Sequence, residues 1–142
     1  MATKLRERLS RDEIYKKVMH HLADALGVDD EDCYPSASLK EDLGAESIDY
    51  LDIVFRLEKE FGISIPKGEL FPEDLQDNPD YVRIDGRTGI DRYTGQGLNV
   101  LRKRFPQLDL RDYESDPIVN DLPKIITVKY VADFVESKLG EG

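Results

Sequence analysis

The sequence predicts an all-α protein, a helical bundle with an elaborated, partly irregular insertion between its second and last helices. Three observations predict it. Apolar residues recur at helical spacing over residues 12–26, 47–61 and 128–139. Residues 67–124 separate the last two of these stretches by far more than an ordinary loop length. Hydrophobic residues make up 39% of the 142, which favours a folded core and allows one domain of ordinary size.

The chain opens on a basic stretch, residues 1–11, in which Lys4, Arg6, Arg8 and Arg11 face only Glu7. It is expected to be a tail or a frayed helical extension. Ser10 and Glu13 have capping-box spacing, in which hydroxyl and carboxylate each satisfy a free amide. The first helix then carries Ile14, Val18, Leu22, Ala25 and Leu26 on one face and stops at Gly27. His20 and His21 are adjacent, about 100° apart on a helix, so they do not suit one metal ion and read as surface residues. Asp29, Glu31 and their acidic neighbours lack the glycine and terminal glutamate of an EF-hand and read as a solvated loop. No metal site is expected. The lone Cys33 permits no internal disulfide and fits a reducing compartment.

A long connection with Leu39 and Leu43 as anchors leads to the second helix. Ile48, Leu51, Val54, Phe55, Leu57 and Phe61 supply its apolar positions, and Gly62 ends it. Glu46, Asp49, Asp52 and Glu58 are expected on or near one face. Ser47 stands in the first turn with its hydroxyl expected to face solvent.

The insertion has three parts. Residues 67–80 are acidic, and Phe71–Gln76 has the form of a short helix with Pro72 at its first position. Residues 81–104 are basic, with Arg83, Arg87, Arg92, Arg102, Lys103 and Arg104 against Asp85 and Asp91. The run Asp85-Gly86-Arg87-Thr88-Gly89 suits a small hairpin or loop, and a helix is expected over residues 96–105. Residues 106–124, with Pro106, Pro117 and Pro123, read as irregular. Recurring apolar residues suggest that the insertion packs on the bundle. Thr127 then caps the last helix, whose buried stripe is Val128, Val131, Ala132, Val135 and Leu139.

The segment Leu43–Pro66 resembles the acyl carrier protein family. That family carries Asp-Ser-Leu at the head of its second helix, and here the triplet is Glu46-Ser47-Ile48. Asp49, Leu51, Asp52, Leu57, Glu58, Phe61, Ile65 and Pro66 fall where the family places the same residue classes. The likeness covers residues 12–66 and returns over 126–139; in detail it is closest to the specialised carriers of very long acyl chains for lipid A. The resemblance implies a four-helix bundle in which Ser47 carries 4′-phosphopantetheine, whose thiol holds an acyl group as a thioester. It implies that Glu46, Ile48, Asp49, Asp52, Phe55 and Glu58 meet partner enzymes, and that Val54, Leu57, Phe61, Ile65 and Val128 belong to a core able to line an acyl cavity. For Phe55, simple core packing is an equal alternative. Glu46 departs from the family's Asp by one methylene, and Ile48 adds β-branching.

The chemistry of the residues fits this reading. A helix N-terminus favours negative charge, which suits an attached phosphodiester. No Ser-His-Asp set, phosphate loop or zinc spacing can be assembled, so the chain reads as a substrate of enzymes and not as one. The net charge of −10 argues against nucleic acid and for partners with basic surfaces, among them a phosphopantetheinyl transferase and acyl-loading and acyl-transfer enzymes. No apolar run suits a membrane span or a signal peptide, so a cytoplasmic monomer is expected. A peptidyl or aminoacyl carrier, and a carrier fold that has lost modification, remain alternatives. The basic part of the insertion could select partners, clamp the protein's own acidic face, or meet a phosphate or lipid headgroup.

Overall fold

The structure is a computed structural model that describes residues 9–73 and 75–141, Glu141 by its backbone alone. It is mostly helical, and its residues group into two compact units. One unit joins the chain up to Ile65 with the segment from Ile126 onward; the other is Pro66–Ile125.

The first unit is a helical bundle of α1 (Arg11–Leu26), α2 (Ser47–Phe61) and α4 (Val128–Glu141). The Ser10–Glu13 capping box forms as the spacing predicts, and Gly27 stops α1 in the left-handed conformation at φ 70°. Arg11 therefore belongs to the helix; the rest of the basic stretch, residues 1–8, lies outside the described residues. Gly62 ends α2 in the same way, at φ 65°. Thr127 Oγ1 accepts the Tyr130 amide at 3.1 Å and caps α4.

α1 packs against both α2 and α4. Ile14, Val18 and Leu22 of α1, Leu57 and Phe61 of α2, and Val128, Val131 and Val135 of α4 are all buried. Each such side chain contributes about 1.5–3 kcal/mol on leaving water. Leu39 and Leu43 anchor the long connection in the same core.

The apolar stripe expected of α2 divides in two. Ile48, Leu51 and Phe55 are 75%, 64% and 63% exposed, while Ile53, absent from that stripe, is fully buried. The helix carries two apolar faces. Ile53, Leu57 and Phe61, four residues apart, form the inner one, and Ile48, Leu51 and Phe55 form the outer one.

Polar contacts also hold the bundle. Arg11 bridges to Asp133 and Glu136 of α4 at 2.9 and 2.8 Å. Arg56 of α2 donates to Asp24 of α1 and to Asp52 one turn earlier. Glu60 of α2 accepts from His21 at 2.9 Å and lies 3.6 Å from Lys17. His21 is thus a half-buried interhelical residue, not the surface residue expected. The hydrogen bond from His21 holds the Glu60 carboxyl below its ordinary value, and Arg56 does the same for Asp24. Asp30–Asp32 forms a single 3₁₀ turn. Cys33 after it is buried, and its thiol is pushed up to about 11 by burial and then by Asp30 and Asp32.

The second unit has its own core, with Leu70, Phe71, Leu101, Phe105, Leu110 and Leu122 buried. Its basic part contains a hairpin of β1 (Val82–Ile84) and β2 (Asp91–Tyr93), paired antiparallel with Arg83 opposite Arg92. This is a small departure from an all-α fold. The expected turn residues close the hairpin: Asp85 Oδ1 accepts the Arg87 amide at 2.8 Å, and Gly89 turns the chain at φ 74°. Helix α3 (Gly95–Arg104) starts one residue before the predicted helix, capped by Thr94, whose Oγ1 accepts the Gly97 amide at 3.1 Å. The short helix expected around Pro72 is instead a 3₁₀ turn, Leu75–Asp77; Asp74 lies outside the described residues. Residues 106–124 are not wholly irregular. They include 3₁₀ turns at Tyr113–Ser115 and at Val119–Ile125, and the buried Tyr113 hydroxyl donates to the Ile118 carbonyl.

Candidate functional site

The head of α2 is built by the connection that precedes it. Ser38 is buried, and its backbone N–H donates to Asp42 Oδ2 at 2.7 Å while its hydroxyl accepts the Glu41 amide at 3.1 Å. The Leu39 amide donates to the Ile126 carbonyl at 3.0 Å, and the Ala45 amide to the Leu39 carbonyl at 2.7 Å. The first amides of α4 donate back to this connection, Val128 to Ala37 and Lys129 to Pro35. Orphan donors at one helix start are thereby satisfied by the loop that positions the other. Gly44 makes the final turn at φ 72°.

Glu46 then takes an extended conformation as the N-cap, and its backbone N–H donates to Asp49 Oδ2 at 2.8 Å. Ser47 is the first residue of α2. It is exposed, and its hydroxyl makes no hydrogen bond among the described residues. An ordinary capping serine would stand one position earlier and accept an amide. The oxygen lies at the positive end of the helix dipole, where a phosphodiester is favoured. A phosphopantetheine arm therefore fits here without displacing any partner of the serine.

The four acids of α2 are not equivalent. Asp49 closes the cap beneath Ser47, Asp52 pairs with Arg56 at 3.1 Å, and Glu58 accepts the Ile65 amide at 2.9 Å. Glu46 is exposed at the helix head. Ile48, Leu51 and Phe55 form an outward apolar row that begins beside Ser47. The structure thus exposes Phe55, and Leu51 with it. A helical wheel with two apolar arcs was the available signal. Phe55 also borders a shallow groove between α1 and α2, lined by His21, Asp52, Arg56, Lys59 and Glu60.

The candidate acyl-pocket residues separate by burial. Leu57, Phe61, Ile65 and Val128 are at most 5% exposed, while Val54 is only half-buried. All five belong to the bundle unit. Among the described residues no group of His, Cys, Asp or Glu is arranged to hold a metal ion, and no helix is long and apolar enough to cross a membrane.

The family model for a phosphopantetheine attachment site matches residues 16–75. The acyl carrier protein of Rubrobacter xylanophilus is 43% identical over 61 residues, covering 43% of this chain and 75% of that protein. Those of Thermosynechococcus vestitus and Thermotoga maritima are 44% and 41% identical over matches of the same length and coverage. The family match ends at residue 75, so most of the unit Pro66–Ile125 lies beyond it. An exposed serine heading an acidic helix, in a bundle with these relatives, places the chain in the acyl carrier protein family, whose members hold 4′-phosphopantetheine covalently and serve as carriers, not catalysts.

Proposed function

We propose that Ser47 is the residue that takes the 4′-phosphopantetheine, and that the thiol of this arm carries acyl groups as thioesters between enzymes of fatty acid, lipid or polyketide type biosynthesis. The observation that carries the reading is the position of the Ser47 hydroxyl, exposed and unengaged at the first residue of α2. A separate transferase would activate that oxygen to attack the pyrophosphate of coenzyme A. The bond formed is a phosphodiester, and adenosine 3′,5′-bisphosphate leaves.

Partner enzymes with basic surfaces would meet Glu46, Asp49, Asp52 and Glu58 together with the outer row Ile48, Leu51 and Phe55. Charge gives steering and apolar area gives affinity. Asp49, Asp52 and Glu58 each accept a hydrogen bond from the protein itself, from the Glu46 amide, Arg56 and the Ile65 amide. Leu57, Phe61, Ile65 and Val128 are the candidates to line an acyl cavity, with Val54 at its edge. The protein would work as a monomer in a reducing compartment such as the cytoplasm.

The test is intact mass after incubation with coenzyme A and a phosphopantetheinyl transferase. One phosphopantetheine increment is expected, absent in Ser47→Ala. An increment that persists in Ser47→Ala would place the arm elsewhere. No increment with several transferases would favour a carrier fold that has lost modification, a reading that Glu46 in place of Asp keeps in view.

A further inference from the structure

The hairpin of the second unit has one covered edge and one open edge. Thr94 donates its amide to the Tyr81 carbonyl and Asp85 donates to the Ile90 carbonyl, both at 2.9 Å. In an antiparallel ladder these bonds direct the backbone groups of Tyr81, Arg83 and Asp85 toward β2. Those of Val82 and Ile84 therefore point away from it. On the opposite side, the Tyr93 amide donates to the Pro117 carbonyl at 2.9 Å, and Arg92 bridges to Ile118. The β2 edge is occupied by the chain itself. The β1 edge has no such neighbour among the described residues, and Ile84 on it is 66% exposed. A shallow groove runs beside it, with Arg83 and Asp80 as its charged groups and Val82 and Ile84 among its other lining residues.

The charges around this edge are unbalanced. Arg83 stands directly opposite Arg92, an arrangement that destabilises a strand pair. Arg92 is compensated by Asp116 at 2.7 Å. Arg83 and Arg87 have no carboxylate partner among the described residues, and both are exposed. Arg83 also repels a second copy of the same strand, which disfavours self-pairing along this edge.

We propose that the open edge of β1 is a docking strand for an extended segment of a partner protein that carries carboxylates. The segment adds as a third strand and takes up the outward N–H and C=O groups of Val82 and Ile84. Its acids answer Arg83 and Arg87, and an apolar side chain covers Ile84. The site is independent of Ser47 and gives this carrier a second handle, on a stretch that lies beyond the family match.

The test uses the full chain and a synthetic peptide of alternating valine and glutamate, followed by amide NMR. Addition of the peptide is expected to shift the Val82 and Ile84 amides and slow their exchange, with an affinity that falls as salt rises. Ile84→Pro removes one outward N–H and spares the ladder to β2; it should weaken binding about tenfold, the size of one lost hydrogen bond. Arg83→Glu with Arg87→Glu, which leaves the backbone unaltered, should weaken it at least as much. Absence of shifts at these amides up to about 1 mM peptide would overturn the proposal. Equal binding of a lysine–valine peptide would also overturn it, as would binding that both variants leave unchanged. Concentration-dependent dimerisation through Ile84 would assign the edge to a second copy. Binding to anionic lipid vesicles, lost in the arginine variants while the peptide fails, would assign it to a membrane surface. Either result ends the proposal.

Discussion

Glu58 reaches past the end of its own helix and accepts the backbone N–H of Ile65 at 2.9 Å. An acid placed by family likeness on the partner-facing surface thus also fastens the chain where it leaves α2, next to a residue that is buried in the bundle. A single side chain ties α2 to the segment that follows it.

Glu58→Gln should keep the fold, because an amide oxygen still accepts this bond. Glu58→Ala leaves a part-buried N–H without a partner and should cost about 1–3 kcal/mol. Urea denaturation of the two variants separates charge from bond. Equal losses in both would show that charge, not the acceptor, matters here.

The two apolar faces of α2 should respond oppositely to truncation. Leu57→Ala opens a cavity in the bundle and should cost about 2–5 kcal/mol. Leu51→Ala and Phe55→Ala, on exposed positions, should alter stability by about 0.5 kcal/mol or less. These exposed variants should nevertheless slow acyl transfer by the natural partner enzyme, read as a fall in kcat/KM with modification of Ser47 intact.

Acid should loosen the contact between α1 and α2. The folded Glu60 carboxyl lies below its unfolded value of 4.5, chiefly through the hydrogen bond from His21. The folded state therefore holds this proton less well than the unfolded one. The stabilisation is fully present above the unfolded value and is lost as pH falls through the lower folded value. Denaturant midpoints measured from about pH 6 to about pH 3 should fall less steeply in Glu60→Gln than in the native protein. Parallel slopes would show that Glu60 contributes nothing to the linkage.

Cys33 should not compete with the pantetheine thiol. Its burial and a thiol pushed up to about 11 leave almost no thiolate near neutral pH. Iodoacetamide at mildly alkaline pH should add one label to the modified native protein and two after unfolding in urea. Two labels on the native protein would show Cys33 to be accessible.

Gly97 should tolerate no side chain. A Cβ at this position would collide with the Tyr81 carbonyl, a backbone atom that already accepts the Thr94 amide. Gly97→Ala should cost at least about 1–3 kcal/mol within the second unit. The loss would be read by exchange of the β2 and α3 amides, with those of α1 and α4 as the reference.

The sequence by itself determined the local events. Ser10 and Glu13, Gly27, Gly62 and Thr127 set where helices start and stop, because capping depends on residues a few positions apart. The same locality placed Ser47 at the head of α2 and a hairpin around Gly86 and Gly89. Only the tertiary structure decided which apolar face of α2 is interior. Periodicity finds a face but cannot rank two; α1 packs on α2, and Ile53 is buried while Ile48 and Leu51 stay exposed. Tertiary contact likewise drew His21 to Glu60 and Glu58 to Ile65, and it gave Pro66–Ile125 a core of its own. Those outcomes rest on burial and hydrogen bonding between distant residues, whose free energies no local pattern of the chain contains.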